Sequence, residues 1–400
     1  MKPDYDVIVV GAGPGGATAA RCCAETGLKT LLIEKENVPR YKPCGGCLSP
    51  KTVRLLPFDL GPIVENTIFS AKFTYCAKDP FLMRTERPMA YMVMRDRFDH
   101  FLVEKGLGEG VELLEGNRVH RVKENGAEVE AELDNGQRIR CHHLIGADGP
   151  ESVVAASLAL RPRKGSGSGF ALESEIPLGS VSEFPAGDRS SIHLDFGGVP
   201  NGYGWVFPKR GYLSIGIGGM FQTVKKSNPR SYYDTFLRAL PYLQGRGEVR
   251  VMGHSLPAFF DEEQKVSRGN VLLVGDAAHL MDPLMGEGIY YALRSGTLAA
   301  ESILQSKEKG ISASDLYQDR VRDELFSNLK WALYFSRFVF RFTRLAYRTL
   351  IRYPELSDFY LRVLDGQDTY EGFVSKVKER IRDLLGGKLG ERIRRAMASI

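Results

Sequence analysis

The chain lacks any run of about eighteen uncharged apolar residues, the length a helix needs to cross a bilayer, so no membrane span is expected. Cysteine is scarce: six residues, at positions 22, 23, 44, 47, 76 and 141 of 400. So few in a long chain do not make a disulfide scaffold, because the cytosol keeps thiols reduced, and most of them read as small buried apolar groups. There is no second CxxC and no nearby histidine pair, so a tetrahedral zinc site lacks ligands and no metal is expected. Missing as well is a signal-peptide core with its cleavage site. Met1-Lys2 leads almost at once into the strand-like DYDVIVVGAG, which predicts a soluble, cytoplasmic protein. Acid is absent from one stretch, residues 328–354, which hold six basic side chains.

What is present supports a sizeable core. With 43% apolar and 26% charged residues over this length, two lobes and a tail are expected. The net charge of +5 is unevenly placed, since residues 311–400 contain 17 Lys/Arg against 12 Asp/Glu. The tail therefore carries the whole excess.

DYDVIVVGAGPGGATAARCCAETGLKTLLIEKE reads as strand, glycine turn, helix, strand. The turn glycines Gly11, Gly13, Gly15 and Gly16 let the backbone bend and approach a pyrophosphate, whose charge sits at the helix N-terminus. Glu34 closes the second strand, where a carboxylate binds ribose hydroxyls. A 2′-phosphate there would meet a like charge, so the dinucleotide is FAD or NAD and not NADP. Two later segments decide for FAD. LIGADGPES puts Asp148-Gly149 after a strand, and NVLLVGDAAHLMDPLMGEGIYYALRSG puts Gly275-Asp276 at another strand end with a glycine-rich helix start behind it. Asp276 suits a ribityl chain. The amides near Gly286, Gly288 and Ile289 suit the flavin pyrimidine and pyrophosphate, because an amide cluster at a helix N-terminus stabilises negative charge on reduced flavin.

GxGxxG, GADG and GD together resemble the flavoprotein group of the aromatic hydroxylases such as p-hydroxybenzoate hydroxylase. The resemblance implies a discontinuous Rossmann-like FAD-binding domain covered by a sheet-rich one. MRDRFDHFLVEKG resembles the group's R-x-x-F-D stretch, which places Arg95 near the FAD, and Val119 matches a residue beside the adenine. Within the group, RYKPCGGC resembles the R-x-K-x-C-G-G loop of the geranylgeranyl reductase family. YGWVFPKRGYLSIGIG resembles its Y-x-W-x-F-P motif with a following G-x-G, and DPLMGEGIYYALRSG its flavin-end signature. The resemblance covers about residues 1–310. It implies reduction of isolated C=C bonds in geranylgeranyl chains by hydride from N5 of reduced FAD plus a proton, with NADPH or a ferredoxin-like protein as donor.

In that reading RYKPCGGC is a flavin-covering loop: Lys42, Cys44, Gly45 and Gly46 lie at the cofactor, and Cys44 is either a site thiol or a small structural side chain. Tyr203, Trp205 and Phe207 alternate on one strand and so share a face. They form either an apolar, cation-tolerant wall for an isoprenoid or ordinary core. Two departures stand out: Ala155 replaces an arginine common among relatives, and His279 gives the GDAAH form of the hydroxylases. A flavin monooxygenase or halogenase on the same fold is the alternative function, and a flavin-bearing membrane redox sensor or lipid carrier a third.

The expected fold is α/β (α+β overall). Residues 1–66, 91–165 and 266–310 form the FAD-binding domain, 67–90 and 166–265 the substrate domain, and 311–400 a helical C-terminal region. RPRKGSGSG reads as a hinge and ERIRRAMASI as a surface helix. Arg337, Arg341, Arg344, Arg348 and Arg352 recur at helical steps, either as a face for an anionic membrane surface or as a solvated face on a packed helix. No nucleic-acid recognition motif accompanies the charge.

Overall fold

The computed structural model describes residues 3–160, 167–181, 184–220, 228–244 and 249–384. Residues 161–166 of the expected hinge and the ERIRRAMASI segment lie outside them. The chain is mixed α/β. Its first sheet is built around parallel strands Thr30–Ile33, Tyr5–Val10, Arg138–Gly146 and Val271–Leu273, with Glu112–Leu114 at one edge and Ser267–Arg268 at the other. Val7, Ile8 and Val9 are fully buried in one core with the helix Pro14–Glu25 and with Val122, Val129 and Ala131, and a central parallel strand covered on both faces needs such a continuous apolar run. Glu128–Leu133 and Val119–Asn125 extend Arg138–Gly146 as an antiparallel flap.

The glycine turn feeds the helix Pro14–Glu25, which lies against the long helix Ile289–Lys309 at backbone distance. A Cβ on Gly296 would sit 2.4 Å from the Gly15 carbonyl oxygen, and one on Gly15 would sit 3.0 Å from the Ala292 carbonyl oxygen. Small residues at this crossing bring the first and the third nucleotide-type motifs together, although some 280 residues separate them in the chain.

A second sheet of seven strands runs in the order Met252–Pro257, Ser168–Pro177, Tyr212–Met220, Gly202–Pro208, Ser191–Phe196, Ser70–Tyr75 and Lys78–Arg84. Only the pair Ser191–Phe196 with Ser70–Tyr75 is parallel. Alternation divides its two faces. Val206, Ile215 and Ile217 pack with Tyr233 and Phe236 of the helix Pro229–Arg238, while Trp205, Phe207 and Leu194 turn the other way. A three-stranded sheet (Cys47–Leu48, Ala90–Val93, Val64–Ile68) joins the two halves.

The C-terminal part is helical: Ala313–Val321, a π turn at Arg322–Phe326, Ser327–Arg341, Thr343–Arg352, Glu355–Leu364 and Tyr370–Leu384. The arginine periodicity suggests one continuous helix, yet the helix breaks at Phe342 (φ −124°, ψ 40°), without a nearby proline or glycine. The cause is tertiary. The Tyr347 hydroxyl reaches the carbonyls of Phe73 (2.9 Å) and Asp79 (2.6 Å), drawing the second segment onto the edge of the seven-stranded sheet. No described helix is long and apolar enough to cross a membrane.

Candidate active site

The dinucleotide end is made of backbone. Gly11 has φ +104°, and a Cβ there would meet the Ala147 carbonyl oxygen at 2.4 Å, so this turn demands glycine. A Cβ on Gly16 would lie 1.8 Å from the Gly11 carbonyl oxygen, which fixes the close approach of helix and strand. Gly13 differs, because a Cβ there meets only Arg40 Nη2 at 3.9 Å. It precedes a helix with no side-chain cap, whose first N–H groups are open to an anion. Gly288 repeats the arrangement at the uncapped start of Ile289–Lys309, its nearest Cβ neighbours being Met281 at 3.6 Å and Asp276 at 3.8 Å. Two open helix starts facing one cavity fit a dinucleotide with its pyrophosphate and flavin ring.

Glu34 is 4% exposed. Its Oε2 accepts from the Ala12 N–H (2.8 Å) and lies 3.4 Å from Arg40 Nε, and its Oε1 accepts from Glu36 N–H (3.2 Å). The same Arg40 donates to Asp99 Oδ2 (3.0 Å), and Arg95 binds Asp99 in a two-pronged pair at 2.8 Å on each arm. Burial raises the Asp99 carboxyl, but Arg95, with Arg40 and Lys42, overcomes this and holds it below the usual range. The network ties the glycine loop to Glu34 and to the helix Arg95–Gly108, and Arg95 also hydrogen bonds towards Cys44. Lys42 Nζ lies 3.6 Å from Asp276 Oδ2 across the cavity mouth.

Not every sequence-predicted residue faces the cavity. Asp148 uses both carboxylate oxygens locally, accepting from Ser152 Oγ and from the N–H groups of Val153 and Val154, and it caps the short helix Val153–Ser157. Its neighbours Ala147 and Gly149 line the cavity instead. Val119 is 4% exposed within the core of the first sheet. His279 sits in a left-handed turn with its ring edge-on to Phe260, and burial lowers its pKa.

The flavin-end loop is clamped from several directions. Asp282, fully buried, accepts from the N–H groups of Leu284 and Met285 and from the Tyr370 hydroxyl of the last described helix. The Tyr203 hydroxyl donates to the Met285 carbonyl, and Glu287 accepts from Ser49 and pairs with Lys51 at 2.7 Å. Gly286 (φ +69°), Gly288 and Ile289 are thereby presented to the cavity.

RYKPCGGC passes over this space without regular structure up to Gly46, its Cys47 opening the strand Cys47–Leu48, and Cys44 and Cys47 are free thiols. Burial, the largest cause, together with Glu287 and Cys44, pushes the Cys47 thiol up to about 12, so it stays protonated. Gly46 (φ +66°) would drive a Cβ to 2.0 Å from the Val93 carbonyl oxygen, and a Cβ on Gly45 would meet the Phe207 ring at 2.7 Å. The loop thus rests directly on the aromatic strand. Tyr203, Trp205 and Phe207 follow one another with ring centroids 6.3 and 6.1 Å apart, all on the cavity side. From them a single cavity of about 470 Å³ runs from Gly13 and Gly288 to Phe338, Leu350 and Phe373 of the C-terminal helices.

Sequence reasoning missed two members of this cavity wall: His254, whose Nε2 is buried without a partner among the described residues, and Glu173, which accepts from Ser214 behind it. Two acids, Glu173 and Glu175, in a strand with no other charged residue were the available signal.

This combination defines a flavoprotein of the FAD-dependent oxidoreductase class. The FAD binding domain family profile matches residues 4–175. The chain is 31% identical over 390 residues, 96% of each chain, to an uncharacterized protein of Methanosarcina barkeri. It is 31% identical to the chloroplastic geranylgeranyl diphosphate reductase of Oryza sativa subsp. japonica, over 82% of this chain and 72% of that one. It is 29% identical to the digeranylgeranylglycerophospholipid reductase of Thermoplasma acidophilum, over 78% and 81%. In fold it resembles a geranylgeranyl bacteriochlorophyll reductase-like protein of Thermoplasma acidophilum (TM-score 0.78, 24% identity, 94% and 98% covered) and the flavin-dependent brominase Bmp2 (TM-score 0.70, 20% identity, 95% and 99% covered). The chain belongs to the geranylgeranyl reductase family.

Proposed function

We propose that this protein saturates isolated carbon-carbon double bonds of geranylgeranyl chains by adding a hydride and a proton across each. The observation that carries the reading is the continuity of the cavity, which joins the two glycine-made helix starts to an apolar, aromatic space beneath the C-terminal helices. Bound FAD in its reduced state supplies the hydride. An isolated trisubstituted alkene has no carbonyl to receive one, so positive charge develops on the tertiary carbon as the proton arrives. The rings of Tyr203, Trp205 and Phe207 face that charge without attacking it, each worth roughly 0.5–2 kcal/mol. Cys44, Gly45 and Gly46 close the space above Phe207 and exclude water, with the Cys44 thiol at the reacting end.

Under this reading Gly11, Gly13, Gly15, Gly16, Glu34, Lys42, Arg95, Asp276, Gly286, Gly288 and Ile289 hold the cofactor, with Asp148 and Val119 shaping the surrounding loop and strand. The electron donor is NADPH or a ferredoxin-like protein. The substrate arrives from a membrane surface: Arg337, Arg341, Arg344, Arg348 and Arg352 are all exposed, and Tyr334, Leu345 and Ile351 expose apolar side chains beside them.

The test is anaerobic. The flavin of the purified protein is reduced with dithionite, geranylgeranyl diphosphate and a geranylgeranylated glycerophospholipid are added separately, and product mass is followed. A gain of one H₂ per double bond, with flavin reoxidised in step, is the expected result. Absence of any gain with either lipid, with oxygen incorporated in an aerobic control, assigns the protein to monooxygenase chemistry instead.

A further inference from the structure

The proposed addition needs a proton as well as a hydride, and the cavity wall holds an acid that sequence motifs do not mark. Glu173 lies in mid-strand at 2% exposure, on the wall that also carries Cys44 and Trp205. Its hydrogen bonds fix which oxygen bears a proton. Trp205 Nε1–H, which only donates, gives its hydrogen to Ser214 Oγ at 3.2 Å. Ser214 therefore directs its own O–H to Glu173 Oε1, at 2.5 Å. Oε1 is an acceptor, and Oε2 is buried with no hydrogen-bond partner within 3.5 Å among the described residues. A charged carboxylate oxygen in such a place is far costlier than a neutral, protonated one, because the charge is what burial penalises most.

We infer that Glu173 is the proton donor of this cavity, holding on Oε2 the proton that the alkene carbon takes up. The inference rests on the reductase reading given above. In the step, the π electrons of the C=C bond form a C–H bond with the Glu173 proton, and the O–H bond breaks to leave a carboxylate. Hydride from reduced FAD forms the second C–H bond; the alkene gains two electrons and the flavin loses two. Solvent then returns a proton to Glu173.

The surroundings set the carboxyl for this role. Burial pushes it up to about 7; Lys209, Ser214 and the Cys44 amide pull it down and Glu175 pushes it up. Lys209 is itself engaged with Glu175 at 3.0 Å, and among the described residues the neighbouring Glu173 has no salt bridge of its own. Among the described residues Tyr41 and Tyr233 also face it, and burial, the leading cause in each, raises both; on the adjacent strand burial, the leading cause, lowers His254 to about 4, so none of the three charges in the neutral range.

The experiment is single-turnover reduction of geranylgeranyl diphosphate by dithionite-reduced holoprotein across the neutral pH range, comparing wild type with Glu173→Gln and Glu173→Asp. The wild-type rate is expected to fall as pH rises through about 7, where the donor loses its proton. Glu173→Gln is expected to keep its FAD and lose at least about 100-fold in rate together with that pH limb, and Glu173→Asp to restore a displaced limb. Infrared titration of the substrate-free holoprotein gives a readout apart from turnover: a protonated carboxyl band that bleaches near the same pH and is missing in Glu173→Gln. Wild-type rate and pH limb in Glu173→Gln, or absence of the band, overturns this inference alone. Failure of the wild type to reduce the chain at any pH overturns the reductase reading, and this inference with it.

Discussion

The two ends of the cavity are built from different materials. At the dinucleotide end the ligand-facing groups are N–H groups of Gly13 and of the Gly288 helix start, and nearby charges such as Arg95, Asp99, Arg40 and Glu34 neutralise one another. At the substrate end the wall is side chains: an aromatic ridge from one strand, an acid from the next but one, and apolar residues from helices beyond residue 330. A backbone-made site tolerates little change in covalent geometry but is indifferent to distant packing. A side-chain-made site has the opposite sensitivities.

The sharpest break of that comparison lies within the glycine turn. Gly16→Val places a Cβ at 1.8 Å from a carbonyl oxygen that cannot move without unmaking the turn; a loss above about 4–5 kcal/mol, read as failure to fold in a thermal melt, is expected. Gly13→Ala meets nothing closer than a flexible arginine tip at 3.9 Å. It should melt like wild type and lose at least about tenfold in FAD affinity, about 1.4 kcal/mol, because the methyl group stands where the pyrophosphate approaches. Equal losses of stability in the two variants would break the distinction between a packing glycine and a binding one.

At the other end, Trp205→Ala removes a ring that is 7% exposed and fills the space over Gly216, where a Cβ would come within 2.2 Å of it. A loss of about 3–5 kcal/mol is expected, with flavin content retained in the protein that remains folded. Bleaching of the flavin along with the loss of the ring would show that the ends are not separable.

Glu173 gives a milder and pH-dependent contrast. Its folded pKa of about 7 lies above its usual value of 4.5, so between these values the native state keeps a proton that the unfolded chain has released. Its contribution is intact below the lower value and is lost as pH rises to the upper one. Glu173→Gln should therefore gain stability relative to wild type on going from acid to mildly alkaline solution, on the order of 3 kcal/mol in denaturant melts of the flavin-free protein. A parallel pH dependence in both proteins would remove the buried acid from the account.

This division also explains what was legible in the sequence. DYDVIVVGAGPGGATAA could be read as strand, turn and helix because the chemistry sits in the spacing of glycines, and the alternation Tyr203, Trp205, Phe207 could be read as one face because strands have period two. The link from Trp205 through Ser214 to Glu173 depends on the register of three neighbouring strands, with Trp205 opposite Gly216 and Gly216 opposite Glu173, and no local pattern records it. Asp148 looked like a ligand because GADG follows a strand, yet in the next turn its Oδ2 accepts from two N–H groups and its Oδ1 from the Ser152 hydroxyl. The break at Phe342 was hidden for a similar reason: it is imposed by Tyr347 docking on carbonyls more than 250 residues earlier, without any breaker in the segment.

The smallest predicted effect probes whether the two ends are mechanically joined. Tyr370 does not line the cavity, but its hydroxyl donates to Asp282, whose other oxygen accepts from the N–H groups that shape the flavin-end loop. Burial raises the Asp282 carboxyl and the Tyr370 hydrogen bond opposes that rise. Tyr370→Phe keeps the ring, which packs against Phe373 and Tyr360, and removes this donor together with the 3.3 Å contact to the Tyr360 hydroxyl. A cost of about 1–3 kcal/mol is expected for leaving a buried acceptor short of a partner. Since the loss falls on the loop carrying Gly286 and Gly288, FAD affinity should weaken several-fold in flavin titrations even though residue 370 never meets the cofactor. Unchanged affinity with the same loss of stability would mean that the loop is held by Tyr203, Ser49 and Lys51 alone, and that the C-terminal helices merely roof the substrate space.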